Sequence, residues 1–383
     1  MQAALKKGRC PSHNLKAKFP MQQLRSDAVI LPVFDGHNDL LMRLWLSHQD
    51  DAVPAFLNGP AAGQMDLPRL RQGGFAGGLF AAYVPSAGYS ARTAPAVRNN
   101  RAVPDYDEIE PTPSRAEALD ITLSMIATLL RIEQQSNGAA RICRTAADIR
   151  QCMQDSAIAM VMHIEGAEAL DEDLALLDVL YAAGLRTLGP LWSRPNIFGD
   201  GVPFRFPSSP DIGNGLTELG LRLVRACNDK RIMVDLSHMD EKGFWQTAEI
   251  SSAPLVASHS NAHALCPQSR NLTDRQLAAI RETNGFVGVN FGTSFLRSDG
   301  KKAQDATVLE IVRHVDYLVE KVGEDNVGFG SDFDGTTLPS DMKDVTGLPL
   351  LVNALSERGY GRPLLEKICY GNWIRVLEAT WGE

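Results

Sequence analysis

Short apolar runs of four to seven residues alternate along this chain with longer stretches in which apolar positions recur every three or four residues. Eight such runs can be marked: Val29–Phe34, Gly78–Val84, Ile158–Ile164, Leu185–Leu191, Ile232–Leu236, Leu255–Ser258, Phe286–Phe291 and Val327–Gly330. Their length and near-continuous apolarity predict strands buried on both faces, as in a parallel sheet. The helical period is clearest over Ser114–Gln135, where Ser114 and Glu117 form a capping-box pair and Leu119, Leu123, Ile126 and Leu130 share a face. Further helices are expected over Leu174–Ala183, Leu216–Asn228, Glu241–Ile250, Asp274–Glu282 and Thr307–Val322. Strand–helix alternation implies right-handed crossovers and a parallel sheet, closed or open. Eight strands suit a closed (β/α)8 TIM barrel, and no glycine-rich phosphate fingerprint follows the first run to favour an open dinucleotide-binding sheet. Two long connections, Ala87–Pro113 and Ile197–Gly215, are expected as surface loops.

A barrel gives the polar residues at the run ends a meaning, because all of them would face one mouth. In His37-Asn38-Asp39, after the first run, two ligand-type side chains two apart point the same way, which suits one metal ion. A capping Asp and an incidental His in a turn would give the same letters. Glu165 closes the third run, where a carboxylate is costly unless it is hydrogen-bonded, paired or metal-bound, and it could bridge two cations. The other reading is a helix-initiating Glu beside Gly166. His163 is expected as a core or supporting histidine. His238 and His259 end the fifth and sixth runs and form a plausible imidazole pair for a divalent transition metal. His13, His48, His263 and His314 lack this placement and are expected at the surface or in packing. Asp332 ends the eighth run, where it could carry a proton, with Asp334 its nearest rival and an Asx-type turn the alternative for both. Arg270, in the loop after the sixth run, could clamp a carboxylate, although an exposed Arg leading into a helix would look the same.

The 383 residues are 44% hydrophobic, enough for one large barrel. We expect a leader over residues 1–23, basic and without the apolar stretch of a signal peptide, and one metallohydrolase domain over 24–383. A net charge of -8 argues against nucleic acid as a partner. No stretch is apolar and long enough to span a bilayer, and the 6 cysteines form no C-x-x-C pair, so a cytoplasmic protein with reduced thiols is expected.

Taken together, these segments resemble the membrane dipeptidase (renal dipeptidase) family of zinc peptidases, its bacterial soluble branch in particular, from about Val33 to Val376. The match is carried by six ordered motifs, among them the tail Gly371-Asn372-Trp373-Ile374-Arg375-Val376. The resemblance implies an amidohydrolase-like barrel with two Zn2+ ions per subunit. His37, Asp39 and Glu165 would hold one ion and Glu165, His238 and His259 the other, with Glu165 bridging. It also implies that Asp332 shuttles the proton and that Arg270 recognises the substrate's terminal carboxylate. The expected reaction is dipeptide hydrolysis by a metal-bridging hydroxide, with substrates that carry a C-terminal D-residue included. Homodimers are common in the family. One departure stands out: Trp192 occupies the place of a family His thought to hold the developing oxyanion, and Arg194 could replace it as a cationic donor. That departure keeps two alternatives in view, hydrolysis of another amide-like bond such as a β-lactam, N-acyl amino acid or lactone, and a barrel that binds metal without turnover.

Overall fold

The computed structural model describes residues 30–47, 52–86, 111–303 and 305–382. The leader over 1–23, His13, His48 and residues 87–110 of the first long connection lie outside them. Among the described residues, nine strands follow in order: β1 (Val33–Asn38), β2 (Phe75–Tyr83), β3 (Ala140–Ile142), β4 (Ile158–Glu165), β5 (Leu185–Gly189), β6 (Met233–Val234), β7 (Val256–Ala257), β8 (Phe286–Val289) and β9 (Val327–Phe329). They pair in the order β6-β5-β4-β2-β1-β9-β8-β7, every pair parallel. A parallel bridge between Asp235 and Val256, with Leu236 N donating to Val256 O at 2.8 Å, brings β6 to β7 and nearly closes the ring. Strand β3 stands outside it, pairing with the first residues of β4 before β5 takes over that edge. The architecture is a (β/α)8 barrel, and β4, buried along its whole length, shows why continuous apolar runs mark its strands.

Two sequence expectations are corrected. The first strand is Val33–Asn38 rather than Val29–Phe34, so His37 lies in the strand and not after it. The apolar pattern failed there because Asp35 and His37 are polar residues buried in the barrel, and the strand's register is set by pairing with Gly77 and Gly78 of β2. A Cβ at Gly78 would sit 2.6 Å from Asp35 O, so only glycine lets β1 come so close. The helix Arg115–Gln135 forms behind the Ser114–Glu117 capping box, but it buries Ala118, Thr122, Met125, Ile126, Leu129 and Ile132. Of the stripe expected inside, Leu123 and Leu130 are exposed. The helix carries two overlapping apolar stripes, and the face that packs against the helix Leu40–Leu46 and β2 is the one running through Ala118, Thr122, Met125, Leu129 and Ile132.

The other expected helices form within two residues of their predicted bounds. The strap over 197–215 contains no helix or regular strand but is not merely superficial, since Phe198 and Val202 are buried and Val202 N donates to His238 O at 2.8 Å. At the end where the strands start, the helix Asn372–Trp381 closes the barrel. Trp373 packs 4.1 Å from Phe286 and 6.2 Å from Phe34 between ring centroids, and its Nε1 donates to Phe329 O at 2.8 Å. Among the described residues no helix is long and apolar enough to cross a membrane.

Candidate metal centre

At the opposite end, the strand tips bring the expected side chains together. His37 comes from β1 and Asp39 follows it, held by a hydrogen bond from its own N to Phe333 O at 2.8 Å. Glu165 is the last residue of β4, in register with Tyr83 of β2 and Gly189 of β5. His238 and His259 follow β6 and β7, and His238 has a left-handed backbone at φ 68°. Glu165 Oε1 lies 2.9 Å from His238 Nε2, 3.3 Å from His259 Nε2 and 3.6 Å from His37 Nε2. The His37 and His259 rings stack at 3.9 Å, and the Nε2 atoms of His238 and His259 are 3.0 Å apart. His37, Glu165 and His259 form one compact group of donor atoms, and His37, Asp39 and Asp332 an adjoining one.

The electrostatics of this cluster invite a cation. Burial drives His37, His238 and His259 well below the usual imidazole range, which leaves them neutral with lone pairs to offer. Burial, and then the neighbouring carboxylates, push Glu165 and Asp39 well above the usual carboxylate range. His37 Nδ1 and Nε2 and Asp39 Oδ1 are buried without a hydrogen-bond partner, an expensive arrangement unless something positive satisfies them. Nitrogen and carboxylate oxygen donors in this combination suit a divalent transition metal, so the residues present fit the expected group.

A ring of supporting contacts fixes which nitrogen each imidazole presents. Ser258 Oγ donates to Asp235 Oδ2 at 2.5 Å, so its 2.7 Å contact with His259 Nδ1 must take a proton from the imidazole, leaving Nε2 free to coordinate. Ser193 Oγ lies 2.7 Å from His238 Nδ1 and fixes the orientation of that ring. Asp235 also accepts from Ser237 N and Ser258 N, and stands 3.7 Å from His163 Nε2. His163 is fully buried, with its Nδ1 3.0 Å from Thr187 Oγ1, and lies beneath the cluster, 5.7 Å edge-on to His37.

Asp332, expected as the proton carrier, and its rival Asp334 separate clearly. Asp334 is tied to Arg43 Nε at 2.7 Å and to Gln64 N at 2.6 Å, a structural clamp. Asp332, with φ at 61°, joins the His37–Asp39 group and accepts from Asn290 Nδ2 at 2.9 Å; burial raises its pKa to about 6. Arg270 is buried rather than exposed. It donates to Ser260 Oγ at 2.9 Å and His259 O at 3.2 Å, and its Nε has no partner. Burial lowers its pKa to about 10, with Glu165, Asp235 and Asp332 opposing the shift.

Arg194 is not gathered with these groups. Its Nε donates to Glu168 Oε1 at 2.9 Å, its Nη1 to Ser86 Oγ at 2.9 Å and its Nη2 to Val84 O at 2.6 Å, so the guanidinium expected as an oxyanion donor is engaged within the protein. His314 is a core residue between Ala262 N and Leu296 O, and His263 caps Ser208 O, as expected for packing histidines. Asp235 was missed as a functional residue, although a carboxylate inside the run Ile232–Leu236 is the same signal that pointed to Glu165. Ser193, Ser258 and Asn290 carried no signal: Ser258 adjoins His259, but its link to Asp235 spans 23 residues, and Ser193 and Asn290 reach His238 and Asp332 across 45 and 42.

The profile of the family described as Membrane dipeptidase (Peptidase family M19) matches residues 21–381. A metallopeptidase of Rhodobacter sphaeroides, solved with a phosphinate mimic of the dipeptide L-Ala-D-Ala, is 50% identical and superposes with a TM-score of 0.87, covering 92% of this chain and 100% of that one. A protein from Klebsiella pneumoniae described only as uncharacterized, in the pqqA 5' region, is 51% identical over 267 residues, 70% of this chain and 98% of its own. The dipeptidase ataJ of Aspergillus terreus is 30% identical over 368 residues, 91% of this chain and 84% of its own.

Proposed function

The chain belongs to the membrane dipeptidase family of metallopeptidases, and from that premise we propose that it hydrolyses dipeptides at a site holding two zinc ions. His37, Asp39 and Glu165 would hold one ion, and Glu165, His238 and His259 the other. The observation that carries this reading is the convergence of three imidazole Nε2 atoms on the single oxygen Glu165 Oε1, within 2.9–3.6 Å. Bound there, the ions would supply Lewis acidity toward the scissile carbonyl and bring the pKa of a water toward neutrality.

The chain's own residues do the rest. Asp332, whose carboxyl is raised to about 6 by burial and oriented by Asn290, accepts a proton from the attacking water and returns it to the departing amine. Arg270, buried with a free Nε, binds the terminal carboxylate of the substrate and so sets the distance from that end to the bond cleaved. A clamp at one end and a crowded metal pocket at the other favour two-residue substrates. The phosphinate mimic of L-Ala-D-Ala in the Rhodobacter sphaeroides relative supports extending them to C-terminal D-residues.

The test combines metal analysis with hydrolysis of L-Xaa-L-Xaa and L-Xaa-D-Xaa dipeptides by the full chain. Two zinc equivalents and dipeptide turnover are expected. Asp332→Asn should retain the metal and lose about 10²–10⁴-fold in kcat, the usual share of proton transfer. Two bound zinc ions without cleavage of any dipeptide would refute the reading.

A further inference from the structure

Beside the metal cluster runs an arc of aromatic rings that the hydrolytic chemistry does not use. Between centroids, Tyr83 and Trp192 are 5.1 Å apart, Trp192 and Phe204 5.6 Å, and Phe204 and Phe295 5.9 Å. Trp192 and Phe204 also flank the His238 ring, at 5.9 Å and 6.1 Å. These are separations of rings in contact, so the arc is a continuous apolar surface ending on a proposed metal ligand. Phe204 is its partly exposed member, and the other three are nearly covered.

The arc is anchored to the Arg270 loop. Ser269 Oγ donates to Pro203 O at 2.5 Å and accepts from Arg205 N at 2.9 Å, and Ser269 N donates to Arg205 O at 3.0 Å. On the other side of Arg270, Asn271 Nδ2 donates to Phe295 O at 2.9 Å. The backbones of Phe204 and Phe295 are therefore held by the two immediate neighbours of the proposed carboxylate clamp. A dipeptide with its carboxylate at Arg270 and its scissile bond at the metals has one side chain between those points, that of its C-terminal residue.

We propose that Phe204, Phe295 and Trp192 form the subsite for that side chain and select an apolar one, of the leucine or phenylalanine class. The proposal rests on the dipeptidase reading above, with Arg270 as the clamp. Ring faces offer apolar contact but nothing to replace the hydration of a carboxylate or hydroxyl. Cationic side chains, which such faces can attract, meet the guanidinium of Arg270 itself.

The test measures kcat/KM of the zinc-loaded full chain for Ala-Leu, Ala-Phe, Ala-Ser, Ala-Asp and Ala-Lys, together with Kd values of their uncleavable reduced-amide analogues. Leucine and phenylalanine should exceed the polar residues by at least about tenfold, the scale set by a few buried carbon atoms. Phe204→Ala, at a partly exposed strap position, and Trp192→His should each shrink that preference below about threefold, chiefly through KM. A preference near unity, one for a charged residue, or one that survives both substitutions overturns the proposal. If no dipeptide is cleaved, the dipeptidase reading fails by itself, and the analogue affinities still decide the subsite.

Discussion

Where the barrel strands begin, Trp373 fills the bore against Phe34 and Phe286, and its single polar atom is satisfied by Phe329 O. Where they finish, three neutral imidazoles and two carboxylates are equally buried, yet His37 Nδ1 and Nε2, Asp39 Oδ1, His163 Nε2 and Arg270 Nε have no hydrogen-bond partner. The first end is what a stable interior looks like, with apolar area removed from water and polar atoms paired. The second is a concentration of donors and charges that the fold tolerates because the rest of the barrel holds it in place. Stability and chemistry are thus segregated along the barrel axis, as expected when side chains at strand carboxyl ends do the chemistry and the other end fastens the ring.

Substitutions that separate the two ends break or sharpen this contrast. Glu165→Gln has the largest expected effect on function: activity is abolished and bound zinc falls, while the unfolding midpoint of the metal-free protein stays level or rises, because the amide has no charged form for burial to disfavour. A metal-free Glu165→Gln protein markedly less stable than the metal-free parent would show that the mouth carries the fold after all. Trp373→Ala should have the opposite profile, losing about 3–5 kcal/mol in denaturant unfolding while the folded fraction keeps its zinc and kcat. Loss of metal at unchanged stability would deny the segregation. Asp235→Asn should act more gently. It weakens the Ser258–His259 relay and should reduce zinc affinity about 10–100-fold, measured by competition with a chelator, with little change in stability. Zinc affinity equal to that of the parent would show that Asp235 does not orient His259.

Much of the mouth was legible in the sequence because a charged or imidazole residue ending an apolar run is a local anomaly. Glu165, His238 and His259 stood out for that reason, and the structure brings them together. Other features depended on partners far along the chain. Arg194 looked free until Glu168, 26 residues earlier, was found to pair with it at 2.9 Å. The choice of Asp332 over Asp334 rested on its place at the strand end and on resemblance, and its physical ground, Arg43 claiming Asp334 from 291 residues away, lies far along the chain. The first strand was misplaced because its inward residues are polar, and β3, three residues long, is too short to show a period. Trp373 belonged to a motif recognised by resemblance, but its part in closing the barrel follows only from the fold.

The account depends on two cations sharing Glu165, and the most direct measurement is an anomalous difference map collected at the zinc absorption edge from crystals of the full chain. Two peaks should appear on either side of the Glu165 carboxylate, one within coordination distance of His37 and Asp39, the other of His238 and His259. Anomalous density elsewhere in the molecule, or a zinc-saturated crystal with no peak at Glu165, would contradict it.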